Sequence, residues 1–170
     1  VFPQMETQNL YDRICKEESM RLYPQKTNLP RISTSFIGRH NELDLLTRKL
    51  TEKDVKVLSI VGPAGIGKTR LAAEAAAIVV DSFRNGSVFV GASVAENSQS
   101  LYSLLSEALH IRILPGDSRS TEEVVTGFLD DLEVLIVLDN LEHLLPGVSQ
   151  IVTRLSKCRG PMLLTTSREA

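Results

Sequence analysis

Polar and apolar positions along this chain fall into two textures that meet near residue 30. Up to about Asn28 no hydrophobic period is sustained, charges scatter, and Pro3 and Pro24 interrupt the backbone, with Pro30 just beyond. The pattern predicts a linker over residues 1–28, or the tail of a preceding domain. Within it, Leu10, Ile14 and Met20 can share one face of a short helix between Gln8 and Leu22. From Phe36 onward, helical and strand periods alternate. Leu43, Leu46 and Leu50 recur at helical spacing, and Asn41 is the side chain suited to cap that helix. Val55 to Val61 is β-branched and apolar. Three glycines and a proline then break the chain between Gly62 and Gly67, and Thr69 to Val80 is Ala-rich and apolar on nearly every side, as a buried helix is.

The alternation continues. Asn85-Gly86 is a turn before a short strand at Ser87 to Val90, and Ser98 to Leu109 places Leu101, Leu104, Leu105 and Leu109 at helical spacing. A loop at Pro115-Gly116 follows. Ser120 with Glu123 forms a capping box opening a helix through Val124, Val125, Phe128 and Leu129. Glu133 to Leu138 is the most apolar run, too short for a typical helix and rich in Val and Ile, which predicts a central strand buried on both faces. A helix over Val148 to Leu155 and an apolar strand over Met162 to Thr165 complete the pattern. Strands separated by helices predict an α/β fold, a parallel sheet covered by helices on both faces, with ligands at the carboxyl ends of the strands.

Composition narrows the class. With 170 residues, 42% hydrophobic and 24% charged, the chain has material for one buried core. Its 19 basic and 21 acidic side chains leave a net charge of −2, without the basic field that nucleic acid or an anionic membrane attracts. The longest strictly apolar runs are short, as in Val134 to Leu138, and fall far short of the roughly 20 residues that cross a bilayer. Cys15 and Cys158 lack any CxxC or Cys/His spacing and read as plain thiols of a reducing, cytoplasmic compartment. The chain begins at Val1 and stops at Ala170 just after an apolar run, the expectation for a piece of something longer.

The chemistry concentrates in one motif. Gly62-Pro63-Ala64-Gly65-Ile66-Gly67-Lys68-Thr69 fits GxxxxGK[ST], the phosphate-binding P-loop, with a strand before it and a helix after. Its glycines let the backbone curl so that successive N–H groups face a phosphate, and the helix N-terminus adds partial positive charge. Lys68 would reach the outer phosphates and the Thr69 hydroxyl would ligate Mg²⁺, and Arg70 is grouped with these nucleotide contacts. Asp139 ends the run Val134 to Leu138, the Walker B arrangement, in which a carboxylate at a strand's carboxyl end holds the metal. Asn140 stands where many hydrolytic relatives of the motif carry an acid, and an amide is no general base. Glu142 is either its substitute or a carboxylate in the first turn of a helix. Thr165, Thr166, Ser167 and Arg168 close the last strand; the polar groups are expected to face the γ-phosphate, and Arg168 is either its reporter or a solvated surface arginine. His40, His110 and His143 form no ligand cluster, and the pairs Glu122-Glu123 and Asp130-Asp131 read as solvated helix caps.

Four segments together carry a family resemblance: Phe36-Ile37-Gly38-Arg39-His40-Asn41-Glu42-Leu43, the P-loop, Leu138-Asp139-Asn140-Leu141-Glu142-His143-Leu144-Leu145, and Thr166-Ser167-Arg168-Glu169. From about Asn28 to Ala170 the chain resembles the signal-transduction ATPases with numerous domains. It is most similar to the NTPase module of large bacterial transcriptional regulators and more distantly to NB-ARC domains. The resemblance implies a three-layer P-loop NTPase of the AAA ATPase-like kind over residues 29–170, binding ATP or ADP with Mg²⁺. It implies that Ile37, Gly38 and Arg39 line the adenine pocket, that Arg168 senses the γ-phosphate, and that Asn140 is a subgroup trait. It also implies a further strand, a helical lid and a winged-helix domain after this segment, so the sheet should be incomplete and the P-loop strand should lie at an open edge.

The leading expectation is an ATP/ADP switch with slow Mg-dependent hydrolysis, with Lys68, Asp139, Asn140 and Arg168 at the reacting end. Its partners would be nucleotide, other domains of the same polypeptide and, in a nucleotide-dependent way, other copies. A nucleotide-holding scaffold that never turns over is the alternative. A small-molecule kinase would need an acceptor site and an Arg-rich lid, and the sequence offers neither.

Overall fold

The computed structural model of the chain describes residues 27–31, 33–113, 117–144 and 147–168, and before them only Leu10, Arg13, Ile14 and Glu17. The expected helix between Gln8 and Leu22, Cys15, the Pro115-Gly116 loop and Glu169 lie outside the described residues, isolated positions apart. The described residues form five α-helices and four strands: α1 His40–Leu50, β1 Val57–Val61, α2 Lys68–Val79, β2 Ser87–Gly91, α3 Ser98–Ala108, α4 Thr121–Leu129, β3 Leu135–Asp139, α5 Val148–Ser156 and β4 Met162–Ser167. None of these helices is long and apolar enough to cross a membrane.

The strands pair in parallel in the order β1-β4-β3-β2. β3 is buried along its whole length, as its unbroken apolar run predicts. Strand alternation divides its side chains between two cores. Leu135 and Val137 join Leu164 of β4 in packing against α1 and α2, while Ile136 and Leu138 join Val88, Val90 and Leu163 against α3, α4 and α5. The result is the expected three-layer α/β architecture with an open sheet. Helix α2 can lie flat on the sheet because Ala72, Ala75 and Ala76 are fully buried, although Ile78 is 60% exposed, so this helix is not buried all round.

Two edges bound the sheet. Among the described residues β1 pairs only with β4, the open edge that the resemblance implies. The edge of β2 is covered by Thr27 and Asn28, the last residues of the expected linker. Thr27 forms a parallel bridge with Ser87, and the Asn28 side chain imitates a peptide, accepting from the Phe89 N–H (2.6 Å) and donating to the Phe89 carbonyl (3.0 Å).

Three expectations are corrected. Helix α1 starts at His40, one residue before its expected cap Asn41. Arg39, in left-handed conformation (φ 55°), occupies the N-cap, and its carbonyl accepts the first helical bond from Leu43. β3 includes Asp139, and β4 runs on through Thr166 and Ser167 because β1 offers them partners, with Ile60 opposite Thr166 and Val61 opposite Ser167. Tyr102 is buried in α3, whereas Leu104 is only partly so. The predicted capping box is present, Ser120 and Glu123 exchanging side chain-to-backbone bonds, and Asn97 and Ser100 form a second one at α3, which is not among the expected caps.

Gly160, in the turn that feeds β4 into the sheet, approaches α4 so closely that a Cβ there would lie 2.2 Å from the Leu132 carbonyl oxygen and 2.7 Å from that of Leu129. Gly160→Ala is expected to destabilise the fold by about 1–3 kcal/mol, since only backbone movement can make room. Gly127→Ala, on an exposed helical position with nothing within 4 Å, should stabilise by about 0.5–1 kcal/mol through helix propensity. Thermal unfolding of the two variants beside the parent tests both signs.

Candidate functional site

The glycine loop leaves the carboxyl end of β1, where the Gly62 amide donates to the Ser167 carbonyl (3.3 Å) and so continues the strand pairing by one step. Gly65 (φ 77°) and Gly67 (φ 85°) then take left-handed backbone that a side chain would strain, which curls the loop into the N-terminus of α2. Among the described residues no group accepts a hydrogen bond from the amides of Ala64 to Gly67. Unpaired amides in a curled glycine loop ahead of a helix suit an anion. Lys68 Nζ donates to the carbonyls of Gly62 (2.8 Å) and Pro63 (2.9 Å), which holds the ammonium across the same loop.

The next helical residue links the loop to the sheet. Thr69 Oγ1 donates to Asp139 Oδ1 at 2.8 Å, and Thr166 Oγ1 donates to the same oxygen at 2.6 Å. Asp139 is 9% exposed and Thr166 1%, so the carboxylate is tied down from two sides at the end of the sheet. The Thr166 hydroxyl in turn accepts from the Asn140 N–H (3.0 Å), and the Thr166 carbonyl accepts from Leu141 N–H (3.1 Å). Thr69 and Asp139 supply two hard oxygens side by side. Mg²⁺ binds through a few such oxygens and completes its shell with water and phosphate. The donor set therefore fits that ion, whereas among the described residues no cluster of three or more His, Cys, Asp or Glu exists to hold a transition metal.

The hydroxyls of β4 differ from their expected orientation. Thr165 and Thr166 do not look outward to a phosphate; Thr165 hydrogen bonds with Ser59 on β1 (2.8 Å) and Thr166 with Asp139, because alternation sends them to opposite faces of a sheet that is covered on both. Sequence reasoning placed Thr166 near the site but missed its bond to Asp139, which only the β3–β4 pairing reveals.

Asn140 acquires a different role from the one its chemistry raised. Its φ is 66°, a left-handed turn that Asn tolerates better than most residues. With its amide nitrogen facing Glu142, it also donates to Glu142 Oε1 at 2.7 Å. Glu142 opens a 3₁₀ turn, Glu142–Leu144, and its carboxylate takes a second donor, Arg168 Nε, at 2.7 Å. Arg168 is 59% exposed, so this pair is solvent-screened on the arginine side.

The segment before α1 lies against the loop. Arg39 Nη1 donates to the Ile66 carbonyl (2.9 Å), and its Nε pairs with Glu42 (3.1 Å). The helix-end backbone N–H of Glu42, and then the Arg39 guanidinium, hold this exposed carboxyl below the usual carboxylate range. Gly38 and Arg39 are both left-handed, and for Arg39 that geometry costs about 1–2 kcal/mol, which its three-way contact offsets. Ile37 is 87% exposed. Arg70, grouped with the nucleotide contacts on sequence grounds, points elsewhere: its Nη2 donates to the carbonyls of Thr34 (2.6 Å) and Ser35, and its guanidinium lies 5.7 Å from the Phe36 ring centre.

Known proteins resemble this chain in sequence and in fold. The model of the NB-ARC domain family matches residues 39–170. An uncharacterized protein of Mycobacterium tuberculosis is 33% identical over 138 residues, 81% of this chain and 34% of that protein. A second M. tuberculosis protein, provisionally named an HTH-type transcriptional regulator, is 33% identical over 115 residues, 67% of this chain but 13% of its own length. The chain thus spans about a third, or less, of the curated relatives it matches. Among solved structures, the Aeropyrum pernix ORC2 protein in ADPNP and ADP complexes superposes with a TM-score of 0.59 at 18% identity, covering 82% of this chain and 43% of that one. Cdc6p from Pyrobaculum aerophilum gives 0.58 at 18%, covering 80% and 41%. At these identities the likeness is one of fold.

The bond between Thr166 and Asp139 predicts a measurable penalty. Thr166→Val keeps the shape but strips one donor from Asp139 and the acceptor from Asn140 N–H, and should destabilise by about 1–3 kcal/mol in urea unfolding. Thr166→Ser, which retains the hydroxyl, should recover most of that loss. Equal stability of the Val variant and the parent would contradict the network.

Proposed function

Because this chain belongs to the NB-ARC domain family, we propose that it is the nucleotide-binding switch module of a larger bacterial regulator, holding ATP or ADP with Mg²⁺ and hydrolysing ATP slowly. The observation that carries the reading is the 2.8 Å bond between Thr69 and Asp139, which brings the helix behind the glycine loop to the end of the central strand. Two residues seventy positions apart meet there with the donor chemistry that a Mg-nucleotide needs.

In this reading the amides of the loop and Lys68 bind the phosphates. Lys68 exchanges the carbonyls of Gly62 and Pro63 for phosphate oxygens, a short swing of a half-buried side chain. Mg²⁺, held by Thr69 and Asp139, would neutralise phosphate charge. Thr166 keeps the Asp139 carboxylate oriented. Ile37, Gly38 and Arg39 form the base end of the site, next to Ile66 through the Arg39 bond. Arg168 is the reporter of the outermost phosphate: paired with Glu142 by one solvent-exposed contact, it can exchange that partner for a phosphate at small cost.

Turnover is expected to be slow for a structural reason. Asn140 offers no base, and the nearby carboxylate of Glu142 keeps the Asn140 amide as a partner even when Arg168 turns to the phosphate. Arg39, the arginine that reaches the loop, is engaged with Ile66 and Glu42 and serves the base end, so this reading supplies no finger of the kind accelerated NTPases use, and a rate on the scale of unassisted GTPases, about 10⁻³ s⁻¹ or below, follows. The engagement of Glu142 equally favours the alternative, a module that holds nucleotide for assembly without hydrolysing it. Domains elsewhere in the larger protein would read the state; the relative provisionally named an HTH-type transcriptional regulator supports an output of that class.

Titration calorimetry with ATP and ADP, with and without Mg²⁺, tests the reading. Lys68→Ala should weaken both nucleotides by at least about tenfold, and Asp139→Ala should abolish the gain that Mg²⁺ confers. Single-turnover phosphate release separates the two alternatives: cleavage that depends on Asp139 supports the switch, and its absence in a nucleotide-binding parent supports the scaffold. No nucleotide binding by the parent, or many turnovers per second, would overturn the proposal.

A further inference from the structure

Arg70 follows the last residue of the glycine motif, yet it is turned away from the loop. On a helix, successive side chains are about 100° apart. Lys68 and Thr69 face the loop and Asp139, which leaves Arg70 directed at the chain that precedes α1. There one guanidinium nitrogen bridges two successive carbonyls, those of Thr34 and Ser35, while the guanidinium carbon lies 5.7 Å from the centre of the Phe36 ring. Phe36 itself packs against the core formed by α1, α2 and the sheet. A lysine can meet two carbonyls, as Lys68 does, but it lacks the planar face that the guanidinium lays beside the ring at the same time.

A second arginine closes the same segment from its other end. Arg39 reaches from the segment to the carbonyl of Ile66 at the crest of the glycine loop (2.9 Å). Residues 34–39 are therefore strapped at both ends, by Arg70 from the first turn of α2 and by Arg39 to the loop ahead of that helix. Between the straps the backbone takes two consecutive left-handed residues, Gly38 at 75° and Arg39 at 55°, and leaves Ile37 exposed. Such a turn persists only where its surroundings over-determine it. Arg70 Nε is buried with no partner among the described residues, while Nη2, which holds the two carbonyls, lies at the exposed end of the side chain.

We infer that Arg70 is a positioning residue for the base end of the nucleotide site: it fixes segment 34–39 so that Ile37 to Arg39 stay aligned with the glycine loop, and it makes no phosphate contact itself. The inference rests on the nucleotide-binding reading above and adds a division of labour to it. Lys68 and Thr69 serve the phosphate end of the ligand. Arg70, on the same helical turn, serves the base end through the segment it holds.

The experiment compares Arg70→Met, Arg70→Lys and Phe36→Leu with the parent in two ways. Amide hydrogen exchange without nucleotide reads the strap directly: residues 35–39 should exchange at least about tenfold faster in Arg70→Met, with the interior of α2 unchanged. Binding is then measured for ATP and for inorganic tripolyphosphate, which carries the phosphates without a base. Arg70→Met should weaken ATP by about tenfold, the scale of a lost charged hydrogen bond, and leave tripolyphosphate within about twofold. Arg70→Lys should fall between, and Phe36→Leu, which keeps the arginine, should shift ATP in the same direction by less. Equal loss of ATP and tripolyphosphate would overturn the inference, because Arg70 would then act at the phosphates. Unchanged exchange over residues 35–39 would overturn it too. A parent that binds neither ligand overturns the nucleotide reading instead, and the exchange measurement still decides whether Arg70 holds the segment.

Discussion

One buried oxygen, Asp139 Oδ1, joins three parts of this protein. It accepts the hydroxyl of Thr69 from α2 and the hydroxyl of Thr166 from β4, and it stands at the end of β3. An almost fully buried carboxylate without partners would be expensive, and the two hydroxyls offset that cost. The second of them also takes the N–H of Asn140, which fixes the direction in which the chain leaves β3. Any displacement of β4 relative to β3 would therefore be felt at once at the carboxylate and, through Thr69, at the mouth of the glycine loop.

The rest of the fold keeps those three elements in register. β3 carries two cores on alternate residues, with α1 and α2 on one face and α3, α4 and α5 on the other. The small residues of α2 let it pack closely on the sheet, which brings Thr69 within reach of Asp139. Gly160 does the corresponding work for β4, entering the sheet through a turn with no room for a side chain. The edges are treated unequally: Asn28 lends its amide as a substitute strand to β2, while β1 has β4 as its partner among the described residues.

Around this centre the charged side chains are held by each other and by backbone, not by solvent alone. Lys68 lies across the loop carbonyls, Arg168 on Glu142, Arg39 on Ile66 and Arg70 on Thr34 and Ser35. A proposed switch needs groups that can change partners at small free-energy difference, and Lys68 and Arg168 have that character because both are partly exposed. Arg70 does not, since its guanidinium is buried at Nε and engaged on a ring face.

Much of this was legible in the chain itself. The strand–loop–helix around Gly62 to Thr69, the doubly buried run ending at Asp139, the Ser120 capping box and the α/β alternation depend on local periodicity and on residue types with narrow backbone preferences. Such signals are written in consecutive residues. Helix starts are less legible: Asn41 has the side-chain chemistry of a cap, but the left-handed Arg39 takes the position because the preceding segment is pinned to the loop. The partners of polar side chains were not legible. Whether Thr166 faces outward or toward Asp139, whether Asn140 serves by its side chain or by its φ, and whether Arg70 meets the ligand or the segment before α1 all depend on which strand lies beside which. The sequence determined the elements and the residue types at their ends; the tertiary structure decided the hydrogen-bond partners, because these join residues tens of positions apart whose encounter only the order of the sheet arranges.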